Sequence, residues 1–193
     1  MDNRILVLAD DFFGDSGEAA SRFSELLLCV APNLSVQFVL PGPVLLSLEA
    51  LINRAPSDVI GKQAGRIVLG LGLRELRVCR EATIVFKTYK LFLDELLSKT
   101  KAHLNLITIP DDAFKEEVLQ VAKWNQELKS LSHPRITVLD FSAAAARFKE
   151  IQMQKGKFAR SLYSEESRAT PLCCMLLGLF LQEHILNEIK EMS

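Results

Sequence analysis

Between Asp10 and Glu18 the chain reads Asp10-Asp11-Phe12-Phe13-Gly14-Asp15-Ser16-Gly17-Glu18, a run that offers two kinds of chemistry. Ser16 is a candidate nucleophile, and hydrolysis by a serine needs a base to take its proton and donors for the oxyanion. Asp10 and Asp11 are candidate ligands for a hard cation such as Mg²⁺, which selects carboxylate oxygens. The candidate bases are three histidines, His103, His133 and His184. The thiols Cys29, Cys79, Cys173 and Cys174 show neither a C-x-x-C pair nor zinc-ligand spacing, and are expected to be buried and reduced.

Several chemistries fail on the residues around these groups. A phosphate or dinucleotide site needs a glycine-rich turn presenting N–H groups to an anion, whereas the first turn here carries Asp10, Asp11, Asp15 and Glu18. Gly70-Leu71-Gly72 is only a fragment of such a loop. The pair Asp10-Asp11 resembles the acidic pair of response-regulator receivers, but the runs Ile67 to Gly72 and Ile136 to Phe141 lack the aspartate and the lysine that family requires. A haloacid dehalogenase-type phosphatase needs a second aspartate two positions after the first, and Phe12 stands there. No cofactor and no metal are expected.

The elements that must position these groups follow from periodicity. Runs rich in Val, Ile and Leu alternate with longer stretches of helical period, the pattern of βαβ units and a parallel sheet. Strands are expected at Arg4 to Ala9, Ser35 to Leu40, Arg66 to Gly70, Leu104 to Ile109 and Ile136 to Phe141. The stripe Ala19, Ala20, Phe23, Leu26, Leu27, Val30 marks the first helix. Others are expected over Val44 to Asn53, Ala82 to Thr100, Phe114 to Leu131, Ser142 to Gln154 and Pro171 to Met192. Pro41-Gly42-Pro43 and Ile109-Pro110 fall just after strands, at the edge where open α/β sheets bind ligands. Nothing divides the 193 residues into two domains, so a single domain over 1–193 is expected.

In this layout the chain resembles the SGNH or GDSL hydrolases. In that family the first strand runs into Gly-Asp-Ser, a glycine follows the second strand, Gly-x-Asn-Asp follows the third, and Asp-x-x-His precedes the last helix. The resemblance implies a three-layer α/β/α sandwich with a five-stranded parallel sheet in the order 2-1-3-4-5. Block by block it sets Asp11 at the serine position beside Asp10. Gly42 stands at the oxyanion-donor glycine, and Arg74, in Gly72-Leu73-Arg74-Glu75, at the asparagine. Before the last helix, Glu165 stands at the aspartate and Arg168 at the histidine. Three of the four eponymous residues are thereby replaced. An arginine stays protonated and cannot act as a base. Gly14-Asp15-Ser16 then reads as a helix start, with Asp15 and Glu18 as a capping box.

The resemblance, with these replacements, implies a catalytically inactive relative that binds or scaffolds a protein assembly, its vestigial pocket formed by Asp10, Asp11, Gly42, Arg74, Glu165 and Arg168. One alternative is an active esterase or acyl hydrolase using Ser16; another is an RNA-binding pseudo-hydrolase, which a formal net charge of −1 disfavours. The basic cluster Lys149, Lys155, Lys157 and Arg160 is expected to be a solvated loop, and Phe86, Tyr89, Phe92 and Trp124 to be packing residues. The chain lacks the pattern of a signal peptide, and its longest apolar run, Leu172 to Leu181, is too short to span a bilayer, so a cytoplasmic protein is expected. That run is apolar all round, so part of its helix is a candidate interface.

The alignment sets Asp11 and Arg168 face to face as an ion pair within about 4 Å. Arg168→Ala is therefore expected to lower the melting temperature more than Asp11→Ala combined with Arg168→Ala, because the single change strands a carboxylate. Thermal melts of the two variants check it.

Overall fold

The structure is a computed structural model that describes residues 4–9, 24–29, 31–39, 48–79, 81–111, 118–156, 160–164 and 169–191. Five strands form one sheet: β1 (Arg4–Ala9), β2 (Ser35–Val39), β3 (Arg66–Gly70), β4 (His103–Ile107) and β5 (Ile136–Leu139). All four pairings are parallel, in the order β2-β1-β3-β4-β5. The expected fold class and strand order are therefore found. A strand covered on both faces needs apolar residues at every position, not alternate ones. The central strands meet that demand: Ile5 to Leu8 of β1 and all of β3 are buried.

The helices are α1 (residues 24–29), α2 (Leu48–Asp58), α3 (Leu73–Cys79), α4 (Ala82–Lys99), α5 (Val118–Ser130), α6 (Phe141–Gln154) and α7 (Pro171–Glu191). In α4 the buried residues Ala82, Val85, Phe86, Tyr89, Phe92, Leu93 and Leu96 recur at the spacing of one helix face. Trp124 of α5 is fully buried against that face, its ring centroid 5.6 Å from Phe86 edge-on and 5.1 Å from Tyr89. These aromatic residues are core, as expected. The apolar run of α7 divides: Cys173, Cys174, Leu177, Leu181 and Ile185 are buried, while Met175 and Leu179 stand 49% and 45% exposed. Cys173 and Cys174 are buried free thiols; Cys29, expected to be buried, is exposed at the end of α1. No helix among the described residues is long and apolar enough to cross a membrane.

Where boundaries differ from the sequence pattern, a side chain has taken over a backbone group. β4 was expected to reach Ile109 but ends at Ile107, because the Ile109 amide and carbonyl are both bonded by the Asn125 side chain of α5, at 2.9 and 2.7 Å. β5 stops before Asp140, whose carboxylate accepts from the Ala143 N–H and so caps α6, placing Phe141 in the helix. α2 continues through Pro56, past the expected end at Asn53. Its buried stripe of Leu48, Leu51 and Ala55 extends to Val59, so packing outweighs the one N–H that the proline lacks. α3, seven residues long, had no counterpart in the sequence reading.

Asp140 joins three elements. It accepts from the Thr108 hydroxyl at 3.1 Å and lies 2.7 Å from the Lys129 ammonium of α5. Partial burial pushes its carboxyl up, but the Lys129 hydrogen bond, the Ala143 amide and the Thr108 hydroxyl outweigh that and hold it below its ordinary value. A lowered folded-state pKa gives stability that is present above the unfolded value and lost as pH falls through the folded one. Asp140→Asn keeps a capping oxygen and discards the charge. Denaturant titrations are therefore expected to show wild type more stable than Asp140→Asn above about pH 4, with the difference vanishing at lower pH.

Candidate functional site

The register sets the last residues of the strands level with one another. Ala9 of β1 pairs with Gly70 of β3, and Leu8 with Val39 of β2. The strands that lead into Asp10-Asp11, into Gly42 and into the block Gly72 to Glu75 thus end side by side. Asp10, Asp11, Gly42, Glu165 and Arg168 themselves lie outside the described residues, as do Ser16 and the Asp15–Glu18 capping box. Arg74 is described.

After β3 the chain turns at Gly72, where φ is +108°, a conformation that costs a residue with a Cβ. Space makes the same demand. A Cβ at Gly72 would lie 2.3 Å from Cζ2 of Trp124 and within 2.8 Å of two other atoms of the indole's six-membered ring. The turn starts α3 at once, so Arg74 and Glu75 sit in its first turn. Arg74 is half-buried, with Nη1 shielded from solvent.

Glu75, absent from the sequence-level list of site residues, turns out to fasten this edge. Its Oε1 accepts the N–H of Leu48, the first residue of α2, at 2.7 Å. The first N–H groups of a helix have no partner inside it, and a carboxylate there satisfies one of them and complements the helix dipole. The loop after β3 is thereby tied to the helix that follows the Gly42 loop. The available signal was the block itself, in which Glu75 stands beside Arg74 where the family has an acid.

The segment around Glu165 and Arg168 is framed by described residues. Tyr163 and Ala169 form an antiparallel bridge, and the Thr170 N–H donates to the Leu162 carbonyl at 2.9 Å. The Thr170 hydroxyl, which donates to the same carbonyl at 3.0 Å, accepts from the Cys173 N–H and caps α7. These bonds join the residues on either side of the block to the N-terminus of the last helix; residues 165–168 themselves lie outside the described residues.

The three histidines are elsewhere. His103 is the first residue of β4, at the opposite edge of the sheet, with Nε2 2.8 Å from the Thr137 hydroxyl. His133 precedes β5 at that same edge, and its Nδ1 accepts the Arg135 N–H at 3.1 Å. His184 lies on α7, 13 residues beyond Pro171 or about 20 Å along the axis at the helical rise. Its ring packs 4.1 Å from that of Phe180, and its Nδ1 is 2.8 Å from the Phe180 carbonyl. Among the described residues no three His, Cys, Asp or Glu side chains converge as a metal site requires.

Similar solved structures carry this architecture over nearly their whole length. An acetyl-xylooligosaccharide esterase from Geobacillus matches with a TM-score of 0.72 at 13% identity, covering 94% of this chain and 93% of the other. A lipolytic protein of the G-D-S-L family from Desulfitobacterium hafniense matches at 0.69 and 16% identity, with 94% and 99% covered. The esterase EstA of a Pseudoalteromonas species matches at 0.66 and 12% identity, with 98% and 100% covered. The chain has the SGNH-hydrolase fold. At these identities the likeness concerns the fold alone. No protein-family model matches the sequence, and no curated protein matches it significantly. Catalytic mutants of the Geobacillus stearothermophilus enzyme, in which a serine, an aspartate or a histidine is replaced by alanine, are among the similar structures.

The Gly72 turn supplies a test of how the SGNH-like edge is held. Gly72→Ala combines a left-handed φ with a collision against the indole, and is expected to destabilise by roughly 2–5 kcal/mol. Combining it with Trp124→Leu relieves the collision and leaves the φ cost, so chemical denaturation of the single and double variants should give a favourable coupling between the two sites.

Proposed function

We propose that the protein is a catalytically inactive SGNH-hydrolase-like protein that serves as a binding or scaffold component of a protein assembly. The observation that carries this reading is the location of the histidines. A serine hydrolase needs a base at the strand C-terminal edge, and all three histidines of the chain lie away from it. The arginines at two motif positions, Arg74 and Arg168, point the same way, since a guanidinium stabilises an anion but accepts no proton. On this reading Asp10, Asp11, Gly42, Arg74, Glu165 and Arg168 form a vestigial pocket closed by ion pairs. A role in an assembly accords with the exposure of Met175 and Leu179 on α7, and the free buried thiols Cys173 and Cys174 accord with a reducing cytoplasm.

The second reading, an esterase, rests on the similar structures, several of which are esterases. A fluorophosphonate probe separates the two because it labels only an activated hydroxyl. The inactive protein is expected to remain unlabelled and to leave p-nitrophenyl acetate at its background rate of hydrolysis. Labelling that disappears in Ser16→Ala would overturn the proposal.

A further inference from the structure

The edge of the sheet opposite the pocket is basic. Arg4 opens β1, Lys62 closes the 3₁₀ turn before β3, Arg66 opens β3, Lys99 and Lys101 flank the entry to β4, and Arg135 directly precedes β5. Because every strand runs the same way, these positions share one edge. Three carboxylates toward the C-terminal ends of α2 and α4 are already matched on their own helices, Asp58 by Arg54, Asp94 by Lys90 and Glu95 by Lys99. The acids that follow strands, Asp10, Asp11, Glu75, Asp111, Asp112 and Asp140, fall at the other ends of the strands in the sequence. Of the cations in this row Lys99 is matched by Glu95 and Arg66 is buried, and Lys62, Lys101 and Arg135 make no ion pair with another described residue.

Arg135 makes the basic edge more than a scatter of mobile lysines. Its guanidinium donates to the carbonyls of Thr100 at 2.7 Å, of Leu97 and of Ala102, at the end of α4. The group is held in place by neutral acceptors. Lys101, one residue from Thr100, is exposed, and the Lys62 carbonyl accepts from the Arg4 guanidinium, which fixes the neighbouring stretch of the edge.

We propose that this edge, centred on Lys62, Lys101 and Arg135, docks an acidic extended segment of a partner protein. From β3 to β5 the row spans two strand spacings, about 10 Å, which three or four extended residues cover. Nucleic acid fits less well. A duplex-binding surface engages roughly 6–10 phosphates, and no Phe, Tyr or Trp lies in 60–66, 99–103 or 131–135 to stack a base, while the ring of His103 is engaged by the Thr137 hydroxyl. The inference names the chemistry of a partner and does not depend on whether the pocket is inactive, since the fluorophosphonate result and the binding result are read separately.

The test is fluorescence anisotropy of the full chain with a labelled octaglutamate peptide and, separately, with a labelled single-stranded oligonucleotide of equal charge. The peptide is expected to bind at low salt and to weaken steeply with added salt. Lys62→Gln with Lys101→Gln should raise the peptide Kd at least fivefold while the thermal melt stays unchanged, since Lys101 is exposed and Lys62 only partly buried. Lys149→Gln with Lys155→Gln, in the other basic cluster, should leave it unaltered. Absence of peptide binding, equal loss in the control variant, or tighter binding of the oligonucleotide would each overturn the proposal.

Discussion

The contact between Trp124 and Gly72 is the one from which the strand C-terminal edge is built outward. The indole occupies the space a side chain at position 72 would need, and it is itself fixed by Phe86 and Tyr89 of α4. With the ring in place, the chain leaving β3 takes a left-handed turn and enters α3 at once. That turn sets the positions of Arg74 and Glu75. Glu75 in turn holds the start of α2 through the Leu48 amide. One buried aromatic residue on α5 thereby governs a loop on β3 and, through it, a helix that begins 24 residues earlier in the chain than Gly72.

The same logic recurs at other helix starts. The first N–H of α4, from Ala82, is accepted by Gln120 of α5, and α6 begins on the Asp140 carboxylate, which Lys129 of α5 also engages. α5 thus reaches three junctions, the Gly72 turn, the start of α4 and the start of α6. Its Asn125 seals a fourth by bonding both backbone groups of Ile109. A buried amide or carbonyl left without a partner costs about 1–3 kcal/mol, so these contacts keep the ends of β3, β4 and β5 ordered. Ligand sites of open α/β sheets lie at such ends, and rigidity there serves a binding pocket as well as a catalytic one.

The fold constrains function less than it constrains shape. Esterases are among the solved structures that share this fold, yet the chemistry of an edge depends on which side chains its loops carry. Here the histidines are occupied in structural contacts away from that edge.

The sequence by itself determined five parallel strands and most of the helices, and its resemblance to the SGNH hydrolases supplied the strand order. Burial on both faces of a parallel sheet leaves unbroken apolar runs such as Ile5 to Leu8 and Ile67 to Leu69, and a stripe such as Val85, Phe86, Tyr89, Phe92 admits only a helix lying on that sheet. Of the candidate site, the resemblance to the SGNH hydrolases gave the blocks to which Asp10, Asp11, Gly42, Arg74, Glu165 and Arg168 belong, and of these only Arg74 falls among the described residues. Tertiary structure alone decided where strands and helices end and which side chains hold the edge. Gln120 and Ala82 are 38 residues apart, and Glu75 and Leu48 are 27 apart, so no local capping pattern reveals either pair. Periodicity records which face of an element is buried; it carries no information about which distant side chain will satisfy the backbone groups at that element's ends, because that choice is made only when the helices pack.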